Sequence, residues 1–315
     1  MFQSIWDDVK REFSHGNMVS RLIIINSGFF VAIHIVRLIL FLANGAKPDP
    51  LFYTLVEYLS INANGWLVLT RPWTIITHMF LHVDFLHILA NMLYLYWFGR
   101  VVGDFIGNQR ILPMYLMGGL AGALIYFLSA NFLGLKGHYA LGASAAVMAV
   151  VTAAGAIAPD YIMRLLFIGD VKLKYIVAVL IFLDLISIAN SSNTGGHLAH
   201  LGGALFGFLY IFQLQRGNDL TKPVNTLFAR VGDWWSYQVT GKEKRRPRPK
   251  VVYRSPQAAT KAKSSAASAK GNAASDQTTL SHQEQLDSIL DKIKVSGYES
   301  LSSEEKEFLF NASKR

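Results

Sequence analysis

"YALGASAAVMAVVTAAGAIA" (residues 139–158) is built almost wholly of small and apolar residues, with Ser144 standing near its start behind a glycine and an alanine. Small residues let transmembrane helices approach closely, and a lone serine among alanines ordinarily does no more than pack. Whether Ser144 packs or attacks depends on what the rest of the chain brings to the same depth.

The 315-residue chain is 52% hydrophobic and 16% charged, and its charges are separated by uncharged runs. Those runs have the length that a lipid core demands, roughly 20 residues. They are apolar all round and do not alternate with polar residues, which excludes a transmembrane β-barrel. The expected fold is all-α, a six-transmembrane-helix bundle with spans at about 22–43, 84–102, 111–133, 140–158, 173–190 and 197–215. The first run is too long for a signal-peptide core and is read as a retained helix. No cysteine is present, so disulfides, thiolate catalysis and cysteine-based metal sites are excluded.

Orientation follows from the basic residues beside the span ends. Lys10, Arg11, Arg21, Arg100, Arg110, Arg164, Lys172, Lys174 and Arg216 fall on one side, against Lys47, Arg71 and Lys136 on the other. Both termini are therefore expected in the cytoplasm, as in a multi-pass protein of a bacterial inner membrane. The external loop between Gly45 and Arg71 is partly apolar and reads as a helix pair covering the outer face of the bundle.

Five segments are expected: an N-terminal stretch 1–19, the helical domain 20–216, a juxtamembrane segment 217–254, a disordered linker 255–281 and a helical hairpin 282–315. In the third, "VNTLFARVGDWWSYQV" suits an inner leaflet, and "KEKRRPRPK" (residues 242–250) suits anionic lipid heads better than nucleic acid, which is not expected as a partner. The hairpin rests on Leu286, Ile289, Leu290 and Ile293 at helical spacing, Gly297 as a stop, and Ser302 with Glu305 as a capping box.

Polar groups recur near the outer ends of spans 2, 4 and 6. His87 and Asn91 are four apart, on one helix face; Ser144 and His200 each lie about a turn inside their spans. Side chains of this kind are costly in lipid, and function is their default reading. The bland alternative is interhelical hydrogen bonding, which four groups at one level make less economical. A serine and a histidine on separate helices can serve as nucleophile and base, and a histidine with an asparagine can donate to an oxyanion.

A metal is the competing chemistry. His78 and His82 have the i, i+4 spacing of zinc ligands, but Met79 stands where a zinc peptidase has glutamate. His197 and His200 are three apart. No metal and no cofactor is expected, and His78 and His82 are read as fixing the loop through backbone hydrogen bonds. In span 6, Ala199, Gly203 and Gly207 form a small-residue row that would bring its backbone against span 4.

With the histidine and asparagine series from His78 to Asn91, "GAS" at 142–144, "AHLGGALFG" at 199–207 and "YLMGGLAGALIY" in span 3, the chain resembles the rhomboid intramembrane serine proteases over about residues 20–216. That resemblance implies Ser144 as nucleophile and His200 as base, in a dyad without a carboxylate. It also implies His87 and Asn91 as oxyanion ligands and transmembrane proteins as substrates. The chain departs from the family pattern at Ala145, where glycine is usual, at Met148, where many members have tyrosine, at "PWT" in the external loop and at Gly103. A catalytically silent binder of membrane helices is the alternative within the same fold. A histidine-relay transporter is a third reading; no internal repeat supports it. Asp184, in the fifth span, has no role in any of these readings.

Overall fold

A computed structural model describes residues 2–134, 139–166, 168–190, 193–240, 286–293 and 300–312. Two compact units divide the chain, Met1–Lys244 and Arg245–Arg315. The first is mostly helical: α1 (Phe2–His15), α2 (Met18–Ala43), α3 (Pro50–Leu59), α4 (Gly65–Thr70), α5 (Thr74–Thr77), α6 (Phe85–Ile106), α7 (Ile111–Phe132), α8 (Ser144–Ile157), α9 (Leu173–Asn190), α10 (Thr194–Gln215) and α11 (Lys222–Thr240). Among the described residues, four helical runs are long and apolar enough to cross a membrane: Met18–Ala43, Phe85–Ile106, Asn108–Phe132 and Thr194–Gln215.

α8 is shorter. Its 14 residues rise only about 21 Å at 1.5 Å per residue, against roughly 30 Å of hydrocarbon in a bilayer. The expected start near 140 is not kept. Tyr139–Ala140 are extended as β2 and pair antiparallel with β1 (Ile61–Asn62), and Gly142 takes φ +120°, a value that a side chain resists. The helix therefore begins at Ser144, with the serine set back from the end of the apolar stretch.

The two strand ribbons are absent from an all-α reading. Besides β1–β2, Ile162–Leu165 (β3) and Gly169–Lys172 (β4) form an antiparallel hairpin between α8 and α9. Two-residue and four-residue strands leave too little alternation to be legible in sequence.

Glycine and alanine set the centre of the bundle. A Cβ on Gly203 would collide with the backbone oxygen of Ala145, and one on Gly207 with that of Ala149. From α7, Gly118 and Gly122 meet the methyl groups of Ala149 and Ala145 in the same way. Thr152 Oγ1 adds a hydrogen bond to Ala204 O across the α8–α10 contact at 2.9 Å. These backbone approaches lock α7, α8 and α10 in one register, which dispersion and close packing favour where water supplies no driving force between helices. Outward faces carry Leu38, Ile39, Leu86, Leu124, Phe182 and Phe208 exposed, as lipid contact requires.

α3 and α4 are the helix pair expected between Gly45 and Arg71. α3 is tied down by Trp73 Nε1 donating to Tyr58 O at 3.0 Å and Thr77 Oγ1 donating to Leu59 O at 2.7 Å. At the other end, Asp219 accepts from Arg110 Nε at 2.7 Å and from Thr221 N at 2.9 Å. Burial pushes the Asp219 carboxyl up, but its bonds from Thr221 and Arg110 hold it below the ordinary carboxylate range. α11 presents Leu227, Phe228, Val231, Trp234 and Trp235 exposed, an amphipathic surface.

In the second unit, α12 (286–293) and α13 (Ser303–Ala312) are helical. Ser302 N donates to Glu305 Oε2 at 2.7 Å and Glu305 N to Ser302 Oγ at 3.3 Å, the reciprocal cap. Lys292 pairs with Glu305 at 2.9 Å. Gly297, the basic run 242–250 and the linker 255–281 lie outside the described residues.

Candidate active site

Ser144, His200 and His87 line one cavity of about 510 Å³, with Tyr126, Gly142 and His78 also in its wall. Three elements converge on it: the start of α8, the start of α10 and the start of α6. Each contributes through a feature of local sequence.

At α8, the positive-φ Gly142 turns the chain into the helix, and its N–H donates to His78 O at 2.8 Å. A Cβ there would lie 2.7 Å from His87 Cε1 and 3.7 Å from Ser144 Oγ, so glycine is what allows the loop to pass between serine and histidine. As the first residue of α8, Ser144 has a backbone N–H without an intrahelical acceptor, and the residues after it share that property. Among the described residues no hydrogen bond joins Ser144 to His200; the cavity opens between them.

At α10, His197 and His200 both turn Nδ1 toward Asp184 of α9. The distances to Asp184 Oδ1 are 2.7 Å and 2.9 Å, with side-chain exposure of 20% and 21% for the histidines and 12% for the aspartate. A carboxylate acceptor places the His200 proton on Nδ1 and leaves Nε2 with a lone pair, the tautomer of a general base. Asp184 is thus the partner of the His200 ring, where the resemblance implied no carboxylate. It is also the residue that sequence reasoning left without a role, although an acidic group inside a span was itself a signal. Asp184, His197 and His200 have donor atoms within 4.8 Å of one another, so they could hold a metal ion.

On the α6 side, Asp84 caps the helix by accepting from His87 N at 2.8 Å, and the His87 ring lies edge-on to His82 with centroids 5.2 Å apart. Asn91 does not line the cavity. Its side-chain amide lies 3.3 Å from His82 Nε2, which also accepts from Ala143 N at 3.2 Å. Asn91 is thus joined through His82 to the residue before Ser144. His78 Nδ1 bonds Thr74 O at 2.8 Å and His82 Nδ1 contacts Phe80 O at 3.4 Å, the loop-fixing contacts expected of them.

Burial pushes His78 down to about 4, against the opposing bonds to the carbonyls of Thr74 and Ile75. Burial, followed by the neighbouring His87, pushes His82 down to about 4 as well. Both are neutral at ordinary pH, as an acceptor for Ala143 N requires. Tyr126 brings a hydroxyl into the same wall that is buried and unpartnered.

A bundle of apolar helices that holds a serine and a carboxylate-bound histidine on one cavity has the make-up of a multi-pass membrane protein. Residues 69–217 match the rhomboid domain, and residues 277–315 match a family of unknown function, DUF6576. Over that first stretch the chain carries a rhomboid domain, the domain that gives the rhomboid family its name. It is 31% identical over 160 residues to the mitochondrial RHOMBOID-like protein 12 of Arabidopsis thaliana, covering 47% of this chain and 48% of the relative. It is 29% identical over 164 residues to the human mitochondrial presenilin-associated rhomboid-like protein, covering 50% and 41%. With the rhomboid protease GluP of Bacillus subtilis it shares 27% over 180 residues, covering 57% and 32%. The chain thus spans less than half the length of these relatives.

Proposed function

We propose that this protein is an intramembrane serine endopeptidase that cleaves transmembrane segments of other membrane proteins. Ser144 Oγ attacks the scissile carbonyl carbon while His200 Nε2 takes its proton, and Asp184 holds the ring and balances the imidazolium that forms. The negative charge on the former carbonyl oxygen meets the N–H of Ser144 and the His87 ring. Asn91 acts through His82 by fixing the approach to Ser144. Collapse of the tetrahedral species breaks the C–N bond, and His200 returns its proton to the leaving amine. Water then hydrolyses the acyl-serine by the same route. His197 is not needed by any of these steps.

The observation that carries this reading is the placement of Ser144 and His200 in one cavity, with the far nitrogen of His200 on Asp184. An intact substrate helix hides its carbonyls in internal hydrogen bonds, so substrates are expected to carry Gly, Pro or small residues near the cut. On this reading the protein crosses a bacterial inner membrane six times with α8 and α9 as the two remaining spans, and both termini are cytoplasmic. The 242–250 run then rests on anionic lipid, and 282–315 is a module apart from catalysis. The test is labelling with a fluorophosphonate probe in detergent. The parent should be labelled, and Ser144→Ala and His200→Ala should not; labelling that survives Ser144→Ala removes Ser144 as nucleophile.

A further inference from the structure

The reaction above uses one imidazole on one carboxylate oxygen, yet the structure supplies two. His197 reaches the same Asp184 Oδ1 as His200, at 2.7 Å against 2.9 Å, from three residues earlier on α10. The rings stand nearly perpendicular, at 84° with centroids 5.8 Å apart, so their Nδ1 atoms approach the carboxylate from two directions. Two imidazole nitrogens and a carboxylate oxygen are a zinc-type donor set, with a fourth position left for water. All three side chains keep some exposure, and His200 also lines the cavity.

We propose that Asp184, His197 and His200 form a binding site for a divalent ion of the zinc class, and that the ion reversibly switches off His200. The consequence for catalysis rests on the serine-protease reading of the same histidine. Binding breaks the Nδ1–H bonds and forms metal–Nδ1 and metal–Oδ1 bonds. In each ring the displaced proton passes to Nε2, so both rings stay neutral, and His200 then presents N–H toward the cavity. A protonated Nε2 has no lone pair to take the Ser144 proton. Metal occupancy and base function therefore exclude each other at a single ring. His197 gives the site its second nitrogen, which accounts for a histidine the hydrolysis does not require.

The site is tested on the full chain in detergent, in two measurements that fail independently. The first is cobalt(II) titration of the Ser144→Ala protein, whose ligand-field absorption reports tetrahedral nitrogen and oxygen ligation without any catalysis. One cobalt ion per chain is expected, displaced by zinc. His197→Ala should weaken binding by at least the 10–100-fold order that loss of an outer partner alone costs. The second is the fluorophosphonate labelling rate with and without zinc chloride, taken as a ratio within each protein. Zinc should suppress labelling of the parent and a chelator restore it, while the His197→Ala ratio stays near one. Absence of the cobalt band, or a band unchanged in His197→Ala, overturns the site. Equal zinc sensitivity in parent and variant overturns the switch. A metal-free parent that takes no label overturns the serine reaction and the switch together, while the cobalt band still decides the site.

Discussion

Two groups of histidines flank the site, one reaching the cavity through His78 and the other through His200, and they are held in opposite ways. On the α6 side, His78 and His82 are buried and bonded to backbone groups, at Thr74 O for one and Ala143 N for the other. On the α10 side, His197 and His200 are partly exposed and bonded to a carboxylate. Burial without a counter-charge keeps an imidazole neutral, whereas a carboxylate on Nδ1 stabilises the imidazolium that base catalysis creates. One residue type thus serves as a fixed strut on one wall and, in the reaction proposed above, as a proton acceptor in His200 on the other. The difference lies in the partner, not in the spacing of the histidines along the chain.

The largest expected effect tests the chemical wall. Asp184→Asn keeps the volume and a hydrogen-bonding side chain but offers His200 an amide that can bind the wrong tautomer. Labelling of Ser144 should fall on the order of 10²–10⁴-fold, as tautomer loss costs in serine hydrolases. The rate should be measured across a pH series, because a merely structural aspartate would lower the amount of folded protein without moving the profile. A parental rate in Asp184→Asn would mean that the two walls do not differ as argued.

That aspartate also marks where reading the sequence stopped. The convergence of Ser144, His87 and His200 on one cavity was legible because each stands near the start of an apolar helix. The close contact of α8 and α10 was legible in Ala199, Gly203 and Gly207, since small residues in a row predict backbone approach. Asp184 was visible as a charge inside a span, but its partner depends on the rotation of α9 about its own axis. Nothing in an apolar helix of uniform composition encodes that rotation. The partner of Asn91 was hidden for a related reason: the face it shares with His87 was legible, but the loop histidine beside its amide comes from nine residues earlier in a non-repeating turn. The start of α8 was misplaced because a two-residue strand and one positive-φ glycine interrupt the apolar stretch without interrupting its composition.

A smaller effect tests where Asn91 belongs. A direct oxyanion donor costs on the order of 10²–10³-fold in turnover when removed. Asn91 acting through His82 should cost less, and should also lower stability, because His82 Nε2 loses one of its two contacts; a buried hydrogen bond lost in this way is worth about 1–3 kcal/mol. Turnover of a transmembrane substrate and the thermal midpoint in detergent should be measured together on Asn91→Ala. A full oxyanion-type loss in turnover with an unchanged midpoint would move Asn91 from the strut wall to the chemical one.

The smallest effect on turnover, and the clearest signature of the strut wall, lies in the pH dependence of stability. His78 and His82 stand at about 4 in the folded protein, against roughly 6.5 for an unperturbed histidine. As the pH falls below that ordinary value, the unfolded chain takes up protons first and the folded state does not. The stabilising contribution of each is therefore complete above about pH 6.5 and is lost as the pH falls toward 4, at about 1.4 kcal/mol per pH unit for each histidine. Below the folded values both states are protonated and the loss ends. His78→Gln, which can still donate to Thr74 O but does not titrate, should keep labelling at neutral pH and flatten the acid limb of the stability curve by one histidine's share. Unfolding midpoints measured in detergent through the acid range decide this. If the parent and His78→Gln curves run parallel between about pH 6.5 and pH 4, His78 exchanges protons as freely when folded as when unfolded, and the strut wall would be no more than a second titrating wall.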